Sequence, residues 1–369
     1  MTIDTKRKLT LGILAVIAIG CQMILEATKG EHKARGYEQK RAAVELAARA
    51  FDAIREVREG EINVGNDPAL TGLIGPRTSP ISTSASRVSY KRTTLNPNLA
   101  AIIVDFFQQI GLEPGDPVPV SVSGSWPGTN INLYAAMEAM DLKPLVITSV
   151  GGSGFGATDP DFTWLDMEHA LNQRGIFQTR SLAASPGGSD DMGGGSASAN
   201  ALRLIWEAAD RNSISRHESR NLDDSIRRRM ELYRQEARGQ RIKAYVNVGG
   251  NLASLGVPLR DMREMFGWSL TSGLHFDLWK WNWPRAGTMV QLAREGVPVL
   301  HLGNLNSIAE DYALPVAPTF MPNVAEGGAL TTEMYDVRIA AVLLVVYLLL
   351  TAWLVVPGFP QRMFGRQAA

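Results

Sequence analysis

The chain has 369 residues, of which 45% are hydrophobic and 20% charged, with 37 Lys+Arg against 37 Asp+Glu. This is too apolar and too weakly charged for a disordered chain, and a formal net charge of zero offers no global attraction to a phosphate backbone, which argues against nucleic acid as a partner. The single cysteine, Cys21, rules out an intrachain disulfide framework and a cysteine-based zinc site.

The N-terminal tail carries Lys6, Arg7 and Lys8 and leads into an uncharged run from Leu9 to Leu25, close to the shortest length that crosses a bilayer core. A charged start before an apolar run is also how a cleaved signal peptide reads, but Gly20-Cys21-Gln22 has no small-x-small cleavage site. The stretch Ala18 to Cys21 loosely matches a lipoprotein box, with an unmodified buried thiol as the alternative. A second uncharged run, Ile339 to Val356, bears Tyr347 and Trp353 and is closed by Pro357 and Gly358. Arg362 and Arg366 follow it without an acid, so both tails are positive and are expected in the cytoplasm. Between the spans lie 32 basic and 36 acidic residues, a mildly acidic body expected outside. The predicted organisation is a cytoplasmic tail (1–8), a membrane helix (9–25), an amphipathic stalk helix (26–60), an extracytoplasmic α/β domain (61–337), a second membrane helix (338–356) and a second cytoplasmic tail (357–369).

In the stalk region Val44, Ala47, Phe51 and Ile54 fall on one helical face. Residues 65–98 are rich in Gly, Pro, Ser, Thr and Asn and read as an irregular connection containing Arg87, Lys91 and Arg92. Apolar spacing then predicts a helix over 99–112. Beyond it strands at 117–123, 144–150, 176–181, 241–248 and 297–302 alternate with helices at 130–140, 162–173, 201–209, 222–238 and 289–294. This alternation predicts an α/β fold, a mostly parallel sheet with helices on both faces. Residues 266–284 break the pattern with Trp268, Trp279, Trp281 and Trp283, half of the eight tryptophans. The segment reads either as a surface for lipid headgroups or a partner, or as a plug over the sheet.

The sequence has no GxxxxGK[ST] phosphate loop, no HExxH, no CxxC and no GxSxG nucleophile elbow. Gly152 to Ala157 fits G-x-G-x-x-A after a strand, but Thr158 to Asp161 separate these glycines from the next helix, so no helix N-terminus meets a pyrophosphate there. No cofactor is expected. Open α/β sheets bind ligands at the carboxyl ends of their strands, and those ends are polar here: Ser121, Ser123, Ser125 and Asn130, then Ser149, Ser153 and Thr158, then Ser189, Asp190 and Asp191, and finally Asn251, His301 and Asn304. Interleaved glycines allow close approach to backbone N–H groups, a surface suited to carboxylates or amides. Of the five histidines, His301 alone lies at a strand end and is the candidate general base, with Ser123 or Ser125 as nucleophile if their strands are neighbours. Asp166 is a candidate ligand contact or, with Thr163, a helix capping box. The adjacent Asp190 and Asp191 read as a solvated turn rather than a metal site.

The runs GDPVPVSVSGSWPGTNINLYAAMEAM at 115–140, ITSVGGSGFGATDPDFTWLDMEHAL at 147–171, SLAASPGGSDDMGGG at 181–195, VNVGGNLASLG at 246–256 and GVPVLHLGNLNSIAEDYALP at 296–315, with TGLIGPRTSPIST at 71–83 and KRTTLNPNLAA at 91–101, resemble the bacterial family named poly-gamma-glutamate system protein. The resemblance implies a role in making or exporting a γ-linked polyglutamate capsule beside membrane partners of the synthesis and export machinery. It supplies no assigned reaction or catalytic residue. An acidic body would repel an emerging polyanion, so binding of polymer or precursor is expected to rely on local donors such as Arg77, Arg87, Lys91 and Arg92 plus the loop amides, and Asn130, Ser153, Asp166, Ser189, Asp190, Asn251 and Asn304 complete the candidate substrate-binding positions. Three functions remain open at this stage: an accessory binding protein, a hydrolase or acyl transferase on γ-glutamyl amides, and a structural assembly subunit.

Overall fold

The computed structural model describes residues 3–356 except 189, 194–197, 267–269 and 326. It divides into two units, residues 35–330 and the two ends of the chain.

The terminal unit holds two helices, Ile3–Ala27 and Val337–Val355, each long and apolar enough to cross a membrane. The second buries none of its side chains, as expected of a helix whose apolar surface is meant for something other than a protein core. The strand Gly30–Lys33 pairs antiparallel with Thr331–Met334, and Tyr335 Oη donates to Glu26 Oε1 at 2.5 Å beside the Lys29–Glu26 ion pair.

The α/β body is built on seven strands: β1 (Pro117–Ser123), β2 (Lys143–Ser149), β3 (Ser181–Ser185), β4 (Ser215–Arg216), β5 (Tyr245–Val248), β6 (Gly273–His275) and β7 (Val299–Leu302). Their order is β6-β7-β5-β1-β2-β3-β4, parallel throughout except for the antiparallel edge strand β6. Eight helices are labelled: α1 (Tyr37–Val57), α2 (Val88–Thr93), α3 (Leu99–Ile110), α4 (Pro127–Ala139), α5 (Trp164–Gln173), α6 (Ala199–Arg211), α7 (Leu222–Ala237) and α8 (Thr288–Arg294). Alternation within the strands divides the core. Val118, Val120, Val122, Val246 and Leu300 face a layer containing α1, α3, α4 and α5, whereas Leu145, Ile147, Tyr245 and Val299 face α7 and α8. The mixed α/β fold with a mainly parallel sheet is therefore as the sequence predicts.

Two expectations need correction, and one pair of open alternatives is answered. The amphipathic segment is not a free-standing stalk. Helix α1 buries Ala43, Val44, Ala47, Ala50, Phe51 and Ile54 in the main core with α3 and α4, and Lys40, also buried, is paired with Asp105 at 2.6 Å. The strand expected at 176–181 begins only at Ser181. Before it the backbone is claimed by side chains: Glu138 Oε1 accepts from the amides of Gln178 and Thr179 at 2.7 Å, and Asn172 Nδ2 donates to the carbonyls of Phe177 and Thr179. Those groups are satisfied without a ladder. The tryptophan segment is partly plug and partly surface. Trp283 and Leu278 are buried, Phe276, Trp279 and Trp281 are exposed, and Trp268 lies outside the described residues.

Chain direction across the sheet reverses between β1 and β5: β1 to β4 are laid down outward on one side, and β5 returns to the other flank of β1. Open α/β sheets bind ligands in the crevice that such a reversal leaves at the strand carboxyl ends.

Candidate functional site

A cavity of about 400 Å³ lies at this switch point. It is lined by the ends of β1 (Ser123, Ser125, Trp126) and β2 (Ser149, Gly151, Ser153), by Gly250, Asn251 and Leu252 after β5, and by residues 83–86 of the irregular connection. Six of the lining residues are serines, and none of those described is acidic.

Glycines set the wall geometry at two places. A Cβ on Gly152 would lie 2.6 Å from the Gly124 carbonyl carbon and from the Ser125 nitrogen, so only glycine lets the loop after β2 close onto the loop after β1. Gly249, at φ 85°, would put a Cβ 2.8 Å from the Trp126 ring. The first contact brings Ser153 beside Ser125, whose Oγ accepts the Ser153 amide at 2.9 Å. Asn130 secures the floor from the first turn of α4, donating to the Ser123 carbonyl at 3.0 Å.

Behind this wall lies Lys91, on α2 and only 1% exposed. Its Nζ donates to the Ser125 carbonyl at 2.5 Å, lies 2.7 Å from Ser153 Oγ, and sits 3.8 Å from the centroid of the Trp126 ring. Among the described residues no carboxylate pairs with it. Burial without a counter-ion disfavours the ammonium and lowers the Lys91 pKa to about 7.

A second polar layer lies deeper. Arg229, fully buried on α7, bonds Asp191 at 2.8 Å and Ser185 Oγ at 2.6 Å, and Asp191 also accepts from Ser185 and Ser225. Burial pushes the Asp191 carboxyl up, but the Arg229 charge and the two hydroxyl bonds outweigh it and hold it below the ordinary carboxylate range. Ser149 Oγ lies 3.2 Å from Ser185 Oγ and accepts from Asn251 Nδ2, so this layer reaches the cavity wall. His217 lies against Ser225, and burial first, then the Arg229 charge, lowers its pKa to about 4.

Of the residues expected from sequence, Ser123, Ser125, Ser153 and Asn251 line the cavity, and Lys91 and Asn130 support it. Asp190 follows the lining stretch at Gly188 and accepts the Met192 amide, and Ser189 lies outside the described residues. Arg87 is exposed immediately after the lining residue Ser86. The others are engaged elsewhere. Arg92 donates to the carbonyls of Gly65 and Asn66, and Asp166 caps α5 with Thr163 and pairs with Arg211 at 2.6 Å. Asn304 caps the turn after β7 through the Asn306 amide. The pairing of His301 with Ser123 or Ser125 is not formed, because β5 lies between β7 and β1. His301 Nδ1 accepts from Asn247 Nδ2 at 2.9 Å, and burial lowers its pKa to about 3, which removes it as a base near neutral pH.

Sequence reasoning missed Trp126, Ser84 and Ser86 as cavity residues, and Arg229 as the partner of Asp191. The nearest signal for the last was a lone arginine at an inward helical position beside Met230, on the face marked by Leu222, Ile226 and Tyr233. In comparisons with known proteins, no family model, curated protein or solved structure matches the chain.

Proposed function

We propose that this chain is a membrane-anchored accessory protein of poly-γ-glutamate synthesis or export. In this reading the terminal helices are its two membrane spans, the α/β body stands outside the cytoplasm, and the switch-point cavity takes a glutamyl carboxylate of the polymer or its precursor. The observation that carries the binding part is the charge layout: a hydroxyl-rich cavity with no acidic lining among the described residues, above a buried lysine that lacks a carboxylate partner. Helix α4 supports it, since it starts directly after the lining residue Trp126 and its positive end favours an anion. The family resemblance supplies the polymer.

An anion in the cavity favours protonated Lys91, so binding draws in a proton and strengthens as pH falls from 8 to 6, where glutamyl carboxylates stay ionised. Calorimetric titration of the detergent-solubilised full chain with γ-linked glutamate oligomers is expected to give tighter binding at pH 6 than at pH 8. Lys91→Met should weaken it about tenfold or more, in line with the loss of a charge-assisted interaction. Affinity indifferent to both pH and Lys91 would remove the reading. A second reading, a structural assembly subunit, draws on the exposed Phe276, Trp279 and Trp281 near edge strand β6, a patch suited to a partner surface. Loss of co-purifying membrane proteins on mutating that patch, with oligomer binding intact, would favour it.

A further inference from the structure

We infer that Ser153 and Lys91 form a nucleophile and general-base pair for acyl transfer, acting on an amide or ester whose acyl part carries a carboxylate. The inference rests on the proposed binding reading only for the carboxylate, and the Ser153 chemistry stands apart from it.

The geometry singles out one serine. Lys91 Nζ lies 2.7 Å from Ser153 Oγ, within the reach a general base needs. Toward Ser125 the same nitrogen is bonded to the backbone carbonyl, not to the hydroxyl. Ser125 instead positions Ser153, its Oγ accepting the Ser153 amide. Ser153 is partly exposed and lines the cavity, whereas Lys91 is shut off from solvent behind it. A desolvated lysine next to a serine hydroxyl is a known way of activating a nucleophile without histidine, and burial keeps a large share of Lys91 neutral near pH 7.

In the first half-reaction Ser153 Oγ attacks the acyl carbonyl carbon while its proton passes to Lys91 Nζ. The tetrahedral intermediate collapses by breaking the bond to the leaving amine or alcohol, which departs with the proton from Lys91. In the second half-reaction a water, or an acceptor amine, gives its proton to Lys91 and attacks the Ser153 ester. The acid or new amide leaves, and the proton returns to Ser153. No redox change occurs, and water or the acceptor amine is the only co-reactant.

Acylation and anion binding differ in their pH dependence. The base must be neutral, so acylation rises with pH through about 7, whereas anion binding strengthens as pH falls.

The test treats the detergent-solubilised full chain with a fluorophosphonate probe and, separately, with p-nitrophenyl acetate, and locates the adduct by peptide mass spectrometry. The expected result is a Ser153 adduct whose formation rate rises between pH 6 and 8. It should be abolished in Ser153→Ala and reduced at least about 100-fold in Lys91→Met and Lys91→Arg, the range typical of losing a general base. Thermal melts of each variant identify any that fail to fold. Should Lys91→Met fail, Lys91→Arg and the pH profile carry the same question. No adduct with either reagent, an adduct on Ser123 or Ser125 instead, or a rate indifferent to Lys91 and to pH would overturn the assignment. If Ser153→Ala still binds γ-linked oligomers while the wild type forms no adduct, the dyad fails and the binding reading stands.

Discussion

A lysine held almost wholly out of water with two neutral oxygens as its only polar partners among the described residues costs stability whenever it is charged. Unfolding restores the ordinary lysine pKa of 10.5, so between pH 7 and 10.5 the unfolded chain binds more protons and stability rises with pH. At pH 6 the penalty is fully present and amounts to roughly 3–5 kcal/mol from the size of the shift. Lys91→Met removes it but leaves the Ser125 carbonyl without its donor, a loss of about 1–3 kcal/mol. The penalty wins at pH 6 and has largely gone at pH 10. Thermal melts are therefore expected to show Lys91→Met more stable than the wild type at pH 6, with the gain shrinking or reversing at pH 10. A variant less stable at both values would mean that Lys91 is charged and paired in the folded protein. The buried histidines act at the other end of the scale. Burial depresses both folded pKa values, to about 4 for His217 and about 3 for His301, so the stability they hold above pH 6.5 is lost as pH falls toward those values.

At the scale of the element, helix α1 decides what the body is. Phe51 is 1% exposed within the core that also takes in α3, α4 and β1. Phe51→Ala is expected to cost about 3–5 kcal/mol, read as a lowered melting temperature or urea midpoint of the whole body. A stalk outside the body would tolerate that change within about 0.5 kcal/mol. The sequence revealed that one face of α1 is buried but not its partner, because amphipathic spacing is the same for a helix covering a sheet and one resting on a membrane. Strand β1, by contrast, was legible to the residue, since Pro117 to Ser123 combine β-branched alternation with turn residues on either side. The strand-end serines were legible for a similar reason: parallel sheets gather ligands at their carboxyl ends whatever the strand order. Which base they meet depends on that order. His301 was favoured because it ends a strand, yet β5 stands between β7 and β1. Lys91 sits on the six-residue helix α2, and its burial comes from the packing of α2 against the loops after β1 and β2. No periodicity in the local sequence carries that information.

For the whole molecule the proposed function turns on which side of a bilayer the body occupies, because in that reading a cavity for secreted polymer is useful only on the outer side. If both terminal helices span, the two tails share a compartment and the body of residues 35–330 occupies the other. Lys6, Arg7 and Lys8 precede the uncharged run from Leu9 to Leu25 and Arg362 and Arg366 follow the second helix, which favours cytoplasmic tails. Lys29, Lys33 and Arg35 on the body side weigh against this less than their number suggests. Lys29 is paired with Glu26 at 2.7 Å, and long domains translocate largely regardless of their charge. The test uses a Cys21→Ser background with single cysteines introduced at the exposed body position Arg203 and at the tail position Gln367. With a membrane-impermeant maleimide, Arg203→Cys should label in intact spheroplasts and Gln367→Cys only after lysis. The reverse pattern would place the body in the cytoplasm, where the cavity could meet precursors but not exported polymer. Labelling of both before lysis would put the body and the C-terminal tail on the same side, so that Val337–Val355 does not span.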